Sequence, residues 1–297
     1  MNYSNKYDLP SAMVNACEED DGHKPEDGVY HVTELLRPTK AAALLRRHYN
    51  EISQDVSDCV WLIFGKAVHS LLEKSDMTGY AEYDLRVKLE NGLTVAGRCD
   101  LYNEKECAIE DYKTATVWKL LYKDFEDWRL QGLQYAYMMQ IKGHLVKKLR
   151  FHAILKDWSA GERKRAVILG KEYPEHPIWT WEYDVSAADI ASIHDFMLER
   201  SSAEDAAIKA KSDDDIAECS PEERWNTGER YAIMKEGRKN AIKVCDTLED
   251  ANKFIAANAS CLGAKIETRH GEDKRCNDYC LGCDYCRFYK ENHKEEK

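Results

Sequence analysis

Asp100, Asp111 and Lys113 are the residues of this chain whose types and spacing point most directly to chemistry. They lie in the stretch VAGRCDLYNEKECAIEDYK, which predicts two short strands, 93–102 and 107–114, around the polar turn Asn103-Glu104-Lys105-Glu106. Side chains alternate along a strand, so Asp111 and Lys113 share one face, while Glu110 and Tyr112 share the other. Glu110 is therefore given no catalytic role. If the strands pair around the turn, Asp100 stands beside Asp111. Two carboxylates suit a hard, oxygen-seeking cation such as magnesium. A lysine next to that cation can orient water or neutralise charge growing on a phosphate. An Asp and a Lys two apart are also common as solvated surface charges, so the weight rests on what flanks them.

Upstream, 57–74 reads SDCVWLIFGKAVHSLLEK, with the apolar spacing of a buried helix. His69 and Glu73 are four apart and share a helix face, and Gly65 permits close approach of another backbone. A histidine hydrogen-bonded inside a core is the competing reading, and the HExxH zinc-protease pattern is absent. Ahead of this helix come a short strand or extended lead-in at 29–32, a helical turn capped near Thr33 and broken at Pro38, and a helix at 40–49. Residues 1–27 read as poorly structured. A strand at 80–90 leads into Asn91-Gly92, a strong hairpin signal. Downstream, a connector with Trp118 precedes a long helix at 125–142, where Gln131 and Tyr135 are four apart on one face. Strands follow at 148–157 and 177–184, then a helix at 187–211. After an acidic linker at 213–224, a small module is expected: a hairpin (230–235 and 241–245), a helix at 248–257 capped near Thr247, and a strand at 264–269.

The 297 residues are 43% apolar, and no apolar run approaches the roughly 20 residues needed to span a bilayer. The polar, acidic start carries no signal-peptide pattern, which predicts a cytoplasmic protein with no membrane partner. A net charge of −11 counts against a nucleic-acid binder. It does not exclude a local basic channel, and basic residues cluster at Lys147–Arg150, Arg163–Arg165 and Lys235–Lys243. Of 11 cysteines, Cys276, Cys280, Cys283 and Cys286 crowd the tail. In a reducing compartment such clustering suggests metal before disulfides: zinc, an iron–sulfur cluster, or, against both, small buried thiols packing as apolar groups.

Taken in order, GKAVHSLLE on a helix, GRCD on a strand, IEDYK on the next strand and QGLQY on a helix resemble the PD-(D/E)XK nuclease superfamily, in its RecB-like and phage RecE-type exonuclease branch. The resemblance covers about residues 60 to 160, with a weaker match in the lead-in Gly28-Val29-Tyr30-His31. It implies an α/β fold with a mixed central sheet flanked by helices at 57–212. A helical lead-in at 1–56, an α+β module at 225–272 and a Cys-rich tail at 273–297 complete the expected organisation.

The resemblance also implies that Asp100, Asp111, the Tyr112 carbonyl and His69 hold Mg²⁺ or Mn²⁺. Lys113 would position the nucleophile, with Gln131 and Tyr135 steering DNA or holding Lys113, and Glu73 supporting the metal shell. Some RecB-like relatives carry a 4Fe–4S cluster on one cysteine ahead of the core and three after it, which brings in Cys59 or Cys17 beside the tail cysteines. The implied activity is a metal-dependent DNA exonuclease of phage or prophage recombination, acting in a bacterial cytoplasm. DNA, a single-strand annealing protein and further copies of the chain are the implied partners. An endonuclease or nickase on the same fold, and a DNA-binding or assembly protein that does not cut, are the rivals.

Overall fold

The computed structural model describes residues 1–18, 24–75 and 80–292, and the side chains of 73–75 and 82 lie outside that description. The chain forms two compact units, Met1–Ile216 and Ala217–Lys297. Among the described residues, no helix is long and apolar enough to cross a membrane.

The first unit opens with β1 (Asn2–Ser4), α1 (Ser11–Glu18), β2 (Val29–His31), α2 (Val32–Leu35), α3 (Thr39–Arg47) and β3 (Ser53–Asp55). Then come α4 (Val60–Ser75), β4 (Tyr80–Lys88), β5 (Thr94–Asn103), β6 (Ala108–Ala115) and α5 (Val117–Leu121). It closes with α6 (Glu126–Ile141), β7 (Lys148–Leu155), α7 (Ala160–Ile168), β8 (Ile178–Asp184) and α8 (Ala187–Ile208). The central sheet is mixed and six-stranded.

β5 is the strand around which that sheet is arranged. It pairs antiparallel with β4 along nearly its whole length, through a hairpin in which Gly92 takes the positive φ (+84°) that favours glycine. Its start pairs parallel with β2, and its end antiparallel with β6. β6 then runs parallel to β7, and β7 antiparallel to β8. One face of β7 presents Leu149, Phe151, Ala153 and Leu155, all buried, and α6 packs on it. Gly132 makes that approach possible, because a Cβ there would meet Leu149 Cδ1 at 2.7 Å and Phe151 Cζ at 3.0 Å. α8 packs on α6 and α3.

Three expectations change. Of residues 1–27, expected to be poorly structured, 2–4 form β1, which pairs parallel with β3, and 11–18 form α1, while 19–23 lie outside the described residues. The Asp55 carboxylate holds this segment by accepting from Ser4 Oγ (2.8 Å), Lys6 N (3.0 Å) and Ser57 N (3.1 Å). Tyr3, Leu9, Met13 and Val14 pack on Cys17, Val56 and Cys59. Second, the segment 1–56 belongs to the same compact unit as 57–212, and β2 is a strand of the central sheet, tied to α3 by Arg46 Nη1 on the Val29 carbonyl at 2.8 Å. Third, α4 is not buried all round, because Val60, Trp61, Leu62, Phe64 and Leu71 are exposed.

A wholly buried acid sits where α8 meets α2 and α3. Burial, and then the neighbouring Glu34 carboxylate, push the Glu204 carboxyl up to about 9, so it keeps its proton at neutral pH. The unfolded chain releases that proton near pH 4.5, whereas the native chain holds it to about 9, so this group lowers stability as pH rises through that window. Glu204→Gln mimics the protonated form without the slope. In urea unfolding the variant should gain on the wild type between pH 5 and pH 8.5; parallel stabilities across that range would contradict the assignment.

The second unit contains β9 (Arg230–Met234), β10 (Lys243–Cys245), α9 (Leu248–Ala257), β11 (Lys265–Arg269), α10 (Lys274–Asp278) and α11 (Arg287–Asn292). Its antiparallel sheet has the order β10-β9-β11, and Thr247 caps α9 by accepting from Asp250 N at 3.1 Å. Ile233, Cys245, Ala251 and Cys261 form its small core. The hairpin, helix and strand expected at 225–272 are therefore present, joined in one unit with the tail.

Candidate active site

β5 and β6 stay paired only from Asn103↔Ala108 to Leu101↔Glu110. Beyond that point the Tyr112 amide donates not to backbone but to Asp100 Oδ2, at 2.9 Å. The pairing places Asp100 next to Asp111, but through a turn at 104–107; the expected turn at 103–106 would have set Asp100 opposite Ile109. His69 from α4 comes in from the side, with Nδ1 3.3 Å from Asp100 Oδ2. Gly65, one helical turn earlier, faces β6, but a Cβ there would meet Thr114 Oγ1 at an ordinary contact distance of 3.8 Å, so the approach of α4 does not depend on the glycine.

Asp111 and Lys113 share the face covered by α6, as period-two alternation requires. Lys113 Nζ lies 2.7 Å from Asp111 Oδ1 and donates to Gln131 Oε1 at 2.8 Å. Gln131 is hydrogen-bonded one turn along to Tyr135, which is buried and whose phenol that burial pushes well above its ordinary range. Five of the expected side chains, Asp100, Asp111, Lys113, Gln131 and Tyr135, thus form one connected set with His69. The carbonyl of Tyr112 lies between Asp111 and Lys113 on β6. Glu73 lies outside the described side chains.

The electrostatics are those of a carboxylate pair in a dry place. Asp111 is 1% exposed. Burial pushes its carboxyl up to about 6; Lys113 opposes that and Asp100 adds to it. The hydrogen bond to Asp100 raises the pKa of His69. The buried Asp111 Oδ1 faces the Lys113 ammonium at 2.7 Å, a charge that a cation ligand would have to replace. Among the described residues, no group of three or more His, Cys, Asp or Glu side chains has the arrangement of a metal-holding set. The ammonium of Lys113 occupies the approach to Asp111 instead.

Glu110 faces the other side of the sheet, where Asn103 (3.1 Å), Arg150 (2.9 Å) and His152 (3.2 Å) surround it. These partners, His152 foremost, hold its carboxyl below the ordinary range despite its burial.

The cysteines divide between the units. Cys59, with Cys17, belongs to the first; its buried thiol is directed at the Asp55 carbonyl and hydrogen-bonded with Cys17, and burial pushes it up to about 12. Cys276, Cys280, Cys283 and Cys286 are half-buried free thiols of the second unit. Burial pushes Cys276 up to about 12, and the charges of Cys280, Asp273, Cys219 and Cys286 add to it. Cys219 is the residue that sequence reasoning missed. Arg224 gathers the segments around it: it donates to the Cys219 carbonyl, pairs with Asp273 at 3.1 Å and lies 4.1 Å over the Phe288 ring. Cys283 is raised to about 11 by burial and then by Asp284 and Cys280.

No protein-family model matches the chain, and no curated protein matches it at a significant level. Two solved structures are similar in part. One is a protein named SSO0001, 16% identical, with 67% of this chain and 85% of that one covered and a TM-score of 0.47. The other is a phage-related exonuclease from Haemophilus somnus 129PT, 14% identical, with 57% and 82% covered and a TM-score of 0.35.

Proposed function

We propose that the first unit is a divalent-cation-dependent deoxyribonuclease of the PD-(D/E)XK type, and that it acts as an exonuclease. One observation carries this reading. The buried Asp111 and the neighbouring Asp100 converge with Lys113, and Lys113 is aimed by Gln131 from the helix overhead.

The donor set fits Mg²⁺ or Mn²⁺, since it offers two neighbouring carboxylates, one of them buried, with an imidazole alongside that favours manganese over magnesium. Asp100, Asp111 and the Tyr112 carbonyl would hold the ion, with His69 as a further donor. When bound, such an ion acidifies water and polarises a phosphoryl oxygen. The chain's own groups do the rest. To admit the ion, the Lys113 ammonium leaves Asp111 and turns toward the phosphate, where it stabilises charge that grows only in the transition state. Gln131 keeps Lys113 in reach, and Tyr135 braces Gln131. His69 donates to Asp100 and fixes that carboxylate's orientation.

In the second unit, the tail cysteines with Cys219, which as they stand do not form a metal-holding set, are proposed to close on a structural zinc ion or iron–sulfur cluster. The thiols would lose their protons on binding.

A linear and a covalently closed duplex, incubated with Mg²⁺ and Mn²⁺, test the activity. Loss of the linear form alone is expected. Cutting of the circle would make the protein an endonuclease, and no cutting with any divalent ion would leave a DNA-binding protein. Elemental analysis and the absorbance spectrum of the same preparation test the tail, where neither zinc nor iron would remove the structural metal.

A further inference from the structure

The apolar residues at the start of α4 were expected to be buried, and they are not. Trp61 is 55% exposed and Phe64 38%, and their rings meet edge to face with centroids 6.2 Å apart. A second pair stands on α5: Trp118 is 58% exposed and Tyr122 74%, stacked at 5.8 Å. Four large rings in solvent are costly to maintain, and such patches mark surfaces that bind something.

Their position is fixed by contacts already described. α5 starts two residues after β6 ends, with its Val117 amide held by Asp157 at 2.7 Å. Lys156 N donates to the Ala115 carbonyl at 2.9 Å, which joins the carboxyl ends of β6 and β7. Lys156 Nζ then lies 4.1 Å over the Trp61 ring, bringing the start of α4 to the same edge. Both ring pairs therefore sit at the carboxyl ends of the parallel strands β6 and β7, where ligands of α/β sheets enter. Lys113 is two residues from that end of β6, and His69 is roughly 12 Å along α4 from Trp61.

We infer that Trp61, Phe64, Trp118 and Tyr122, with Lys156, form a stacking rim that takes the unpaired bases of a nucleic-acid strand entering the site. The inference rests on the proposed nuclease reading and adds the form of substrate: a strand end whose bases are unstacked from a partner. The ring types support this occupant over a purely aliphatic docking face. Bases of any sequence can stack on aromatic rings, and a cation beside the ring matches the phosphate of the same nucleotide. Lys119, on the same helix as Trp118, is taken up by Asp127 at 2.6 Å, so Lys156 is the cation placed on the rim rings.

The test uses the full chain without divalent cation, so that binding is read apart from cleavage. Anisotropy is measured with an end-labelled oligothymidylate and with an abasic strand of equal length, whose backbone is the same but which has no bases. The wild type should prefer the base-bearing strand. Trp61→Ala and Trp118→Ala should each weaken it roughly tenfold and leave abasic binding nearly unchanged, while Trp61→Phe keeps most of the preference. Equal affinity of the wild type for both strands would overturn the rim, even if the protein proves to cut DNA. A clear base preference in a protein that cuts nothing would uphold the rim and remove the nuclease. If the alanine variants leave strand binding intact and instead change the oligomeric state in sedimentation, the face joins copies of the chain and the inference fails.

Discussion

Lys113→Ala should reduce phosphodiester cleavage by roughly 10²–10⁴-fold while DNA binding persists, the range seen when a positioned proton-transfer or charge-stabilising group is removed. It should also destabilise the protein. Lys113 is the cation paired with Asp111, which is 1% exposed, and removing it leaves a buried carboxylate alone. Breaking such a pair costs about 3–5 kcal/mol, less where the carboxyl can take up a proton. The two effects separate in a cycle. Adding Asp111→Asn to Lys113→Ala removes the stranded charge and should restore much of the stability, measured by urea unfolding, while activity stays lost. A Lys113→Ala enzyme that cuts at the wild-type rate would remove the site assignment. A double variant no more stable than the single one would show that the pair is not the buried charge couple described.

Gly97→Val should disturb both the fold and the site from a residue that has no side chain of its own. A Cβ at Gly97 would lie 2.8 Å from Tyr135 Cε1 and 2.9 Å from Val32 Cγ2. Tyr135 is buried, so the ring has little room to withdraw. Overpacking of this kind costs about 1–3 kcal/mol, and at this chain length should lower Tm by several degrees. The ring also braces Gln131, which aims Lys113, and a displacement approaching 1 Å at a reacting group costs roughly 10²-fold in rate. Tyr135→Leu in the Gly97→Val background should return part of the stability by making space. Wild-type stability in Gly97→Val would show that the contact is not tight.

The glycine of the GRCD stretch illustrates what could and could not be read in advance. Asp111 and Lys113 were legible because a strand repeats every two residues; Asp100 was legible as a neighbour across the hairpin but not in register, because the turn falls at 104–107 and not at 103–106. Gln131 and Tyr135 were legible because a helix returns to the same face after four. Those are local rules. That Gly97 exists to admit Tyr135 depends on α6 lying across β5, a contact between segments some forty residues apart. β1 and α1 were missed for the same reason: β1 is held by Asp55, half a hundred residues away, and the apolar side of α1 packs on Val56 and Cys59. Cys219 sits in an acidic stretch that reads as linker, and Arg224 donates to its carbonyl while pairing with Asp273. The exposure of Trp61 and Phe64 was hidden by composition, because apolar spacing reports that a helix has an inner face without reporting how much of its length is covered. α7, with Arg163–Arg165, read as a charged surface patch and proved to be a helix capped by Ser159.

The junction of β5 with β6 carries one more consequence. A slide of one strand past the other by two residues would keep every side chain on its own side, so hydrophobic patterning does nothing to prevent it. Only three residue pairs join the strands, and the next link is the Asp100 carboxylate on the Tyr112 amide. Asp100 is therefore a latch as well as a prospective ligand. Its replacement by alanine removes that link as well as the carboxylate, so the activity lost in an Asp100 variant includes lost alignment of β6, and Asp100→Asn, whose side-chain oxygen can still accept from the Tyr112 amide, should keep that alignment.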